Sequence, residues 1–205
     1  LIKNPISRIE VASAGGYLSY ENIADKATVA GVEVEIRKNL FVRPLSSAAN
    51  GMNKLSFGLN GSYIYTNAKM PLATVTTGSQ LEGAAPWIAN FDLSHNFTKG
   101  NHSFINTLVF NYVSDKIYTI GTQGYQDIIE QGMMTLDFVS QAKLNKYVSL
   151  TLKARNLLNP SYKLSRKANE SGEKVVLSDY KKGINISLGA VSYTHLRAHE
   201  TCADL

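Results

Sequence analysis

The sequence predicts an all-β fold, an antiparallel meander of about eight long strands that is part of a larger transmembrane β-barrel. Apolar and polar residues alternate over long stretches, most clearly from Leu55 to Tyr65. Such alternation places the apolar side chains on one face of a strand, and the stretches exceed the roughly 5–6 residues of ordinary strands. Aromatic residues lie near the ends of the stretches, as in the girdles of outer-membrane barrels.

The first half of the chain supplies four of the predicted strands, at about residues 2–12, 17–43, 54–67 and 86–98. The first strand follows from the extended pattern of Ile6 to Val11. The second is predicted because branched apolar residues alternate with charged residues from Val32 to Arg37, and the third because the alternation resumes at Leu55. In the fourth strand, the apolar side chains alternate with Asn90, Asp92, Ser94 and Asn96.

The second half supplies the other four strands, at about residues 102–118, 132–144, 147–166 and 175–191. The fifth strand alternates apolar side chains such as Phe110 with polar ones such as Asn111. In the seventh strand, Leu150 and Leu152 flank Thr151, and in the eighth the alternation continues to Val191. The pattern predicts sequential antiparallel pairing, with no parallel pair and no long helix within residues 1–191.

The connections are predicted to be short at one end of the sheet and long at the other. The short ones are residues 44–53, 99–101 and 145–146, and the long ones are residues 69–85, 119–131 and 167–174. Outer-membrane barrels have short periplasmic turns and longer extracellular loops. The long connections are therefore expected outside the cell, although the connection at residues 13–16, expected on the same side, is short.

The alternation also predicts which side chains face lipid. The apolar set should share one convex face: Val32, Val34, Phe57, Leu59, Phe91, Leu93, Phe110, Leu150 and Ile186. The polar set should share the concave, lumenal face: Glu33, Glu35, Asn60, Asp92, Asn111 and Thr151. Lipid solvates only apolar side chains, so the two sets are expected to separate completely.

Composition excludes several classes of protein. No stretch reaches the ~18 consecutive apolar residues of a membrane-spanning helix. The charged residues that give the net charge of +5 are scattered along the chain and form no basic stripe. No nucleic-acid partner is therefore expected. Cys202 is the single cysteine, which precludes an intrachain disulfide.

Both ends of the chain are abrupt and suggest a fragment. Leu1 opens without a signal sequence, and the strand alternation stops after Val191. Residues 192–205 read SYTHLRAHETCADL, which resembles translated adapter sequence. We therefore expect residues 1–191 to be a partial outer-membrane barrel and residues 192–205 to be a non-native tail with few contacts to the sheet.

Four motifs carry a resemblance to a known family. Residues 30–35 (AGVEVE) resemble a recurring GvElE strand, and residues 83–90 are similar to a G-x-x-P-x-x-x-N strand entry. Residues 155–162 match an NLfd-x-x-Y element, and residues 182–188 resemble a final strand, with Ile184 in place of the usual arginine. Over about residues 1–191 the chain thus resembles the carboxyl-terminal barrel of a TonB-dependent outer-membrane receptor, with the Lys- and Asn-rich style of receptors from Bacteroidetes.

The resemblance implies a location, a function and a set of partners. It implies a barrel of about 22 strands with a plugged lumen in the outer membrane of a Gram-negative bacterium. It implies energy-coupled uptake of a nutrient: a siderophore, cobalamin, haem, a glycan or a peptide. The implied partners are outer-membrane lipid, the small nutrient ligand, and the TonB system acting through a plug region that is missing from this chain.

The residues themselves indicate no catalytic, cofactor-binding or metal site, and we expect the chain not to be an enzyme. The acidic residues lie on different elements: Asp115, Asp127, Glu130 and Asp137. His95 is expected on the apolar face at a girdle position, and no serine pairs clearly with it or with His102. The candidate contacts to an external ligand are Tyr118, Gln123 and Tyr125, because loops on rigid scaffolds carry binding residues.

Two other functions remain open at this point. A small standalone outer-membrane barrel with a structural or adhesive role would need only these eight strands, closed on themselves. A soluble lipocalin-like binding protein would turn the apolar face inward around its ligand. The direction in which the apolar face points distinguishes the soluble binder from the two membrane barrels, and a sheet closed on itself would indicate the standalone barrel.

Overall fold

The computed structural model describes residues 1–11, 17–45, 51–68, 80–122, 125–168 and 171–192. Within these ranges there is no helix, and the fourteen strands are β1 (Ile2–Lys3), β2 (Ile6–Glu10), β3 (Leu18–Asn22), β4 (Lys26–Pro44), β5 (Met52–Ala68), β6 (Trp87–Lys99), β7 (His102–Val113), β8 (Lys116–Thr119), β9 (Ile128–Glu130), β10 (Met133–Lys143), β11 (Val148–Arg155), β12 (Ser161–Lys167), β13 (Lys174–Lys181) and β14 (Asn185–Ser192).

Eight of these strands form one large sheet, which we call the main sheet. Its order is β1-β4-β5-β6-β7-β10-β11-β14, and every neighbouring pair is antiparallel. Each of these strands belongs to one of the eight predicted strands, in sequence order, so the predicted all-β antiparallel meander is confirmed. β1 and β14 are the two edges of the sheet, so the described strands do not close into a barrel by themselves.

The predicted strands are wrong in their continuity, because five of them break into two elements. The first breaks at Asn4, whose φ is 48°, and at Pro5, which has no N–H to donate to a ladder. The seventh breaks between Asn156 and Asn159, whose φ values are 59° and 44°. The second and fifth break at residues 23–25 and 114–115, and the eighth at residues 182–184.

The elements beyond these breaks form two small sheets of their own. One has the order β13-β12-β9-β8, and the other is the β2–β3 hairpin. An isolated parallel bridge joins Ile9 to Ile120, so the prediction of no parallel pair is wrong at this position. The physical reason is direction: β2 continues from β1 and β8 continues from β7, and β1 and β7 run the same way in the meander.

The register divides the main sheet into an apolar and a polar face. Directly opposed residues of antiparallel strands share a face. One row across the sheet reads Ile36, Leu59, Phe91, Phe110 and Leu136, and the adjacent row reads Glu35, Asn60, Asn90, Asn111 and Thr135. Followed through all the ladders, the nine apolar residues predicted to share a face do so, and the six polar ones share the other.

The two ends of the main sheet differ in their connections. At the short-turn end, β4 joins β5 through residues 45–51, β6 joins β7 through Gly100 and Asn101, and β10 joins β11 through residues 144–147. At the long-loop end lie the connections from β1 to β4, β5 to β6, β7 to β10, and β11 to β14. The two small sheets are part of these long connections. Residues 12–16, in the predicted short external connection, lie outside the described residues.

The buried core is small and lies at the long-loop end. It contains Ile9, Ile23, Ala24, Ala27, Ala68, Ile117 and Ile120. On the apolar face of the main sheet, by contrast, Val32 is 60% exposed, Ile186 69% and Leu188 76%. No second layer of described residues covers these side chains, so the apolar face requires a different apolar environment.

Candidate functional site

The long-loop end brings together a cluster of cations, carboxylates and tyrosines. Its first group contains Arg8 of β2, Glu82 and Tyr118 of β8. The Arg8 Nη2 and Nε atoms lie 2.9 and 3.2 Å from Glu82 Oε1, and the backbone N–H of Arg8 donates to the other carboxylate oxygen. The guanidinium lies 4.1 Å from the centroid of the Tyr118 ring, a cation–π distance. Arg8 thus joins three segments that are distant in sequence.

The second group has the same three parts, a carboxylate, a guanidinium and a tyrosine ring, and lies two residues further along β2. Glu10, which shares a face of β2 with Arg8, forms an ion pair with Arg166 of β12. The Arg166 guanidinium lies 5.2 Å from the centroid of the Tyr125 ring. The side chains of Arg166 and Glu10 are only 15% and 20% exposed, so solvent screens this pair less than it would a surface pair.

The third group is centred on Glu130 of β9. Its carboxylate pairs with Lys116 Nζ at 3.2 Å and accepts a hydrogen bond from the Tyr162 hydroxyl at 3.2 Å. Burial of Tyr162 and then the negative charge of Glu130 raise the pKa of this phenol to about 12. Tyr162 is therefore a neutral hydrogen-bond donor at physiological pH.

The three groups together are electrically balanced. Each cation has its own carboxylate: Arg8 with Glu82, Arg166 with Glu10, and Lys116 with Glu130. An electrically balanced cluster does not favour a highly charged ligand by long-range attraction. It offers hydrogen-bonding groups and aromatic rings, among them the Tyr125 side chain, which is 46% exposed. These are features of sites that bind polar ligands by stacking and hydrogen bonding.

Sequence reasoning located part of this cluster. Tyr118 and Tyr125 both lie in it, although Tyr118 belongs to β8 and not to a loop. Gln123 lies outside the described residues. The ion pairs of the first two groups were missed because their partners are 74 and 156 residues apart in sequence. The one local signal is the placement of Arg8 and Glu10 at alternate positions of a strand, which marks a charged face but names no partner.

The polar face of the main sheet carries a second set of paired side chains. Asn60 Nδ2 donates to Glu33 Oε1 at 2.6 Å, and Asn90 Nδ2 donates to Asn60 Oδ1 at 3.3 Å. Beside them, Arg37 pairs with Glu35 at 2.5 Å and approaches Asp92 at 3.8 Å. This charged ladder matches the interpretation of Glu33, Glu35 and Arg37 as lining residues.

Gly58 leaves room for the Asp92 carboxylate where this ladder crosses β5. A Cβ atom at Gly58 would collide with that carboxylate, which would have to shift. A Cβ at Gly61 would meet nothing within 4 Å.

No metal site or membrane-spanning helix emerges from the described ranges. No three of their His, Cys, Asp and Glu residues are grouped so as to hold a metal ion. The described part of the chain also contains no helix that is long and apolar enough to cross a membrane. His95 lies on the apolar face, opposite Leu55, as predicted, and its Nε2 is 2.9 Å from Asn53 Oδ1.

Comparison with known proteins identifies one family. The family of TonB-dependent receptor-like β-barrels matches residues 2–157, which include β1 to β11 of the main sheet. No curated protein and no solved structure matches the chain. The match covers most of the chain and agrees with the antiparallel meander and its two distinct faces. The chain therefore belongs to the family of TonB-dependent receptor-like β-barrels.

Proposed function

We propose that the chain is the carboxyl-terminal barrel portion of a receptor that takes up a nutrient across the outer membrane of a Gram-negative bacterium. The nutrient is a siderophore, cobalamin, haem, a glycan or a peptide, and the energy comes from the TonB system acting through a plug region outside this chain. Family membership supports the receptor class. The observation that carries the proposal is the division of the main sheet into a largely apolar face and a face that holds all the carboxylates of its described strands.

In this proposal the apolar face contacts lipid and the polar face lines the lumen. The exposed side chains of Val32, Ile186 and Leu188 have a lower free energy in contact with acyl chains than in contact with water. The long-loop end lies outside the cell and the short-turn end in the periplasm, as in other outer-membrane barrels. Neither a standalone barrel nor a soluble binder is favoured, because β1 and β14 do not pair and the apolar face encloses nothing among the described residues.

The candidate ligand contacts lie at the proposed outer end. Tyr118, Tyr125 and Gln123 are proposed to contact the nutrient, together with the charge-balanced groups around them. Among the described residues these groups contain no histidine or cysteine, so we propose binding and not chemical conversion. We also propose that residues 1–191 belong to the barrel and that residues 192–205, of which only Ser192 is described, are a non-native tail. Resequencing the locus across the codon for Ser192 tests the tail.

Uptake is tested in a strain from which the intact receptor has been deleted. Cells are offered haem, cobalamin, a ferric siderophore, an oligosaccharide or a peptide as the limiting nutrient. We expect one class to support growth only when the receptor is present and only while the proton-motive force is maintained. Uptake that persists after the proton-motive force is collapsed would contradict energy coupling.

The orientation of the sheet is tested by two arginine substitutions at neighbouring positions. Leu59→Arg places a charge on the apolar face, where lipid contact costs about 2–4 kcal/mol near the midplane. Asn60→Arg places the same charge on the polar face. In the intact receptor, we expect Leu59→Arg to impair outer-membrane assembly, measured by membrane fractionation and heat-modifiable gel mobility, and Asn60→Arg to assemble normally. The reverse result would show that the polar face contacts lipid.

A further inference from the structure

The carboxylates of the main sheet are confined to one of its two faces, whereas its cations lie on both. All carboxylates in its described strands lie on the polar face: Glu33, Glu35, Asp92 and Asp137. The charged residues on the apolar face are all cations. Three of them lie toward the short-turn end: Lys38, Arg43 and Lys99. We call these three residues the cationic rim.

The level of the rim is given by the rows of the sheet. Moving toward the short-turn end, the first row of the apolar face with several uncharged polar side chains contains His95, Asn106 and Ser140, together with Leu55 and Leu152. The polar side chains are satisfied locally: Ser140 Oγ donates to Asn106 Oδ1 at 2.7 Å, and His95 contacts Asn53. Polar groups that must be paired in hydrocarbon become easy to solvate at the interface. This row therefore marks the boundary of the acyl-chain region.

Two rim cations lie beyond that boundary, beside aromatic rings. Arg43 is opposite Asn53, which is in turn opposite Phe97, and Lys99 follows Phe97 by two residues. The rings of Phe97 and Phe104 lie 6.5 Å apart, as expected for a girdle at the membrane surface. Lys38 lies on the acyl-chain side, from where a long lysine side chain extends its ammonium group toward the interface.

The rim cations lack a counter-charge from the protein. Lys38, Arg43 and Lys99 are exposed, and none of them forms an ion pair with a described carboxylate. Arg43 contacts only the ring of Phe41, with 5.6 Å from its Cζ atom to the ring centroid. On the opposite face, Arg37 pairs with Glu35 and Asp92. No described carboxylate therefore competes for these three cations, which leaves them available to an anion from outside the sheet.

We propose that the cationic rim binds the phosphate of an anionic phospholipid headgroup, in the leaflet next to the short-turn end. Guanidinium and ammonium groups form charge-assisted hydrogen bonds with phosphate oxygens, and basic residues beside a membrane attract anionic lipid. The acyl chains of the same lipid pack against the Phe97 and Phe104 side of the apolar face. This inference rests on the proposed contact of the apolar face with lipid.

The test compares two pairs of charge-removing substitutions in the intact receptor. Arg43→Gln with Lys99→Gln neutralises the rim, and Arg37→Gln with Lys54→Gln removes the same charge from the polar face. Each purified receptor is placed in vesicles of phosphatidylcholine and phosphatidylglycerol, and the phosphatidylglycerol retained after extraction is counted by native mass spectrometry. We expect the wild-type receptor and the polar-face control to retain phosphatidylglycerol preferentially. The rim variant should lose about thirtyfold in that preference, since each basic residue contributes about a fivefold factor.

An unchanged preference in the rim variant would overturn the proposal, as would an equal loss in the polar-face control. If the double rim variant does not assemble, Arg43→Gln and Lys99→Gln are measured singly, each with an expected loss of about fivefold. Failure of the rim is distinguishable from failure of the proposed function. If Leu59→Arg impairs assembly while the rim shows no lipid preference, the orientation stands and only the lipid site is wrong.

Discussion

Tyr162 shows how one side chain at the long-loop end is held in a single protonation state. Its hydroxyl donates to Glu130, and its ring lies 5.0 Å from that of Tyr180. Loss of the phenolic proton would place a second negative charge next to the carboxylate. Burial and this charge raise the pKa to about 12, above the ordinary tyrosine value of about 10.

The raised pKa predicts a specific dependence of stability on pH. Because the folded state holds the Tyr162 proton more tightly than the unfolded state, the stabilisation is complete below pH of about 10 and is lost as pH rises toward 12. The difference in phenolate absorbance between the wild-type receptor and Tyr162→Phe should report an ionisation near the upper value. In the Glu130→Gln background this ionisation should occur at a lower pH, because the negative charge of Glu130, one cause of the raised pKa, is removed. A difference spectrum that titrates near 10 would contradict this account.

At the scale of elements, the β2–β3 hairpin is held by two ion pairs of the long-loop end, one to Glu82 in the connection before β6 and one to Arg166 of β12. Arg8 and Glu10 provide these contacts from β2, and the bridge between Ile9 and Ile120 lies between them. Ile9 and Ile120 are also part of the small buried core. The hairpin is thus fixed by two charged contacts and an apolar one, although few backbone ladder bonds tie it to its neighbours.

This arrangement predicts that Arg166→Met loosens the hairpin. Glu10 would keep its charge in a poorly solvated position without a partner, at a cost of about 2 kcal/mol. Hydrogen exchange of the Ile6–Glu10 amides should accelerate accordingly. Adding Glu10→Gln should restore part of the protection, because no unpaired charge remains.

The matched control is Lys163→Met, which removes the partner of Asp179 in the same small sheet. Both side chains of this pair are well exposed, so the expected change in the free energy of unfolding is about 0–1 kcal/mol. Equal effects of Arg166→Met and Lys163→Met would contradict the account.

The sequence predicted the elements of the main sheet better than those of the long-loop end, for a physical reason. In β4 and β5 alternate residues lie on two faces of different polarity over many residues, so Leu59 and Asn60 reveal their faces locally. The strands at the long-loop end are only three to eight residues long, so no such extended alternation develops. The breaks at Asn4–Pro5 and Asn156–Pro160 carried turn signals, but alternation on both sides concealed them. The pair of Glu10 and Arg166 depends on how distant connections fold together, which periodicity does not encode.

At the scale of the whole molecule, the main sheet is one wall of a barrel. β1 and β14 leave unpaired backbone at its two edges, and free edges are prone to pair with other strands. In the intact receptor we expect other barrel strands to occupy both edges. In the proposed receptor, the apolar side of this wall contacts lipid, the polar side lines the lumen, the charge-balanced cluster lies at the outer end and the cationic rim at the inner end.

The alternation of environments along β5 is the central claim, and spin labelling measures it most directly. A nitroxide label is attached in turn to single cysteines at positions 57 and 59 to 62 of the intact receptor in lipid vesicles, and collision rates with oxygen and with a water-soluble nickel complex are compared. Oxygen is more concentrated in lipid and the nickel complex in water. We predict high oxygen accessibility at Phe57, Leu59 and Gly61, and high nickel accessibility at Asn60 and Ser62. A pattern without period two, or one with the two sets exchanged, would contradict the account.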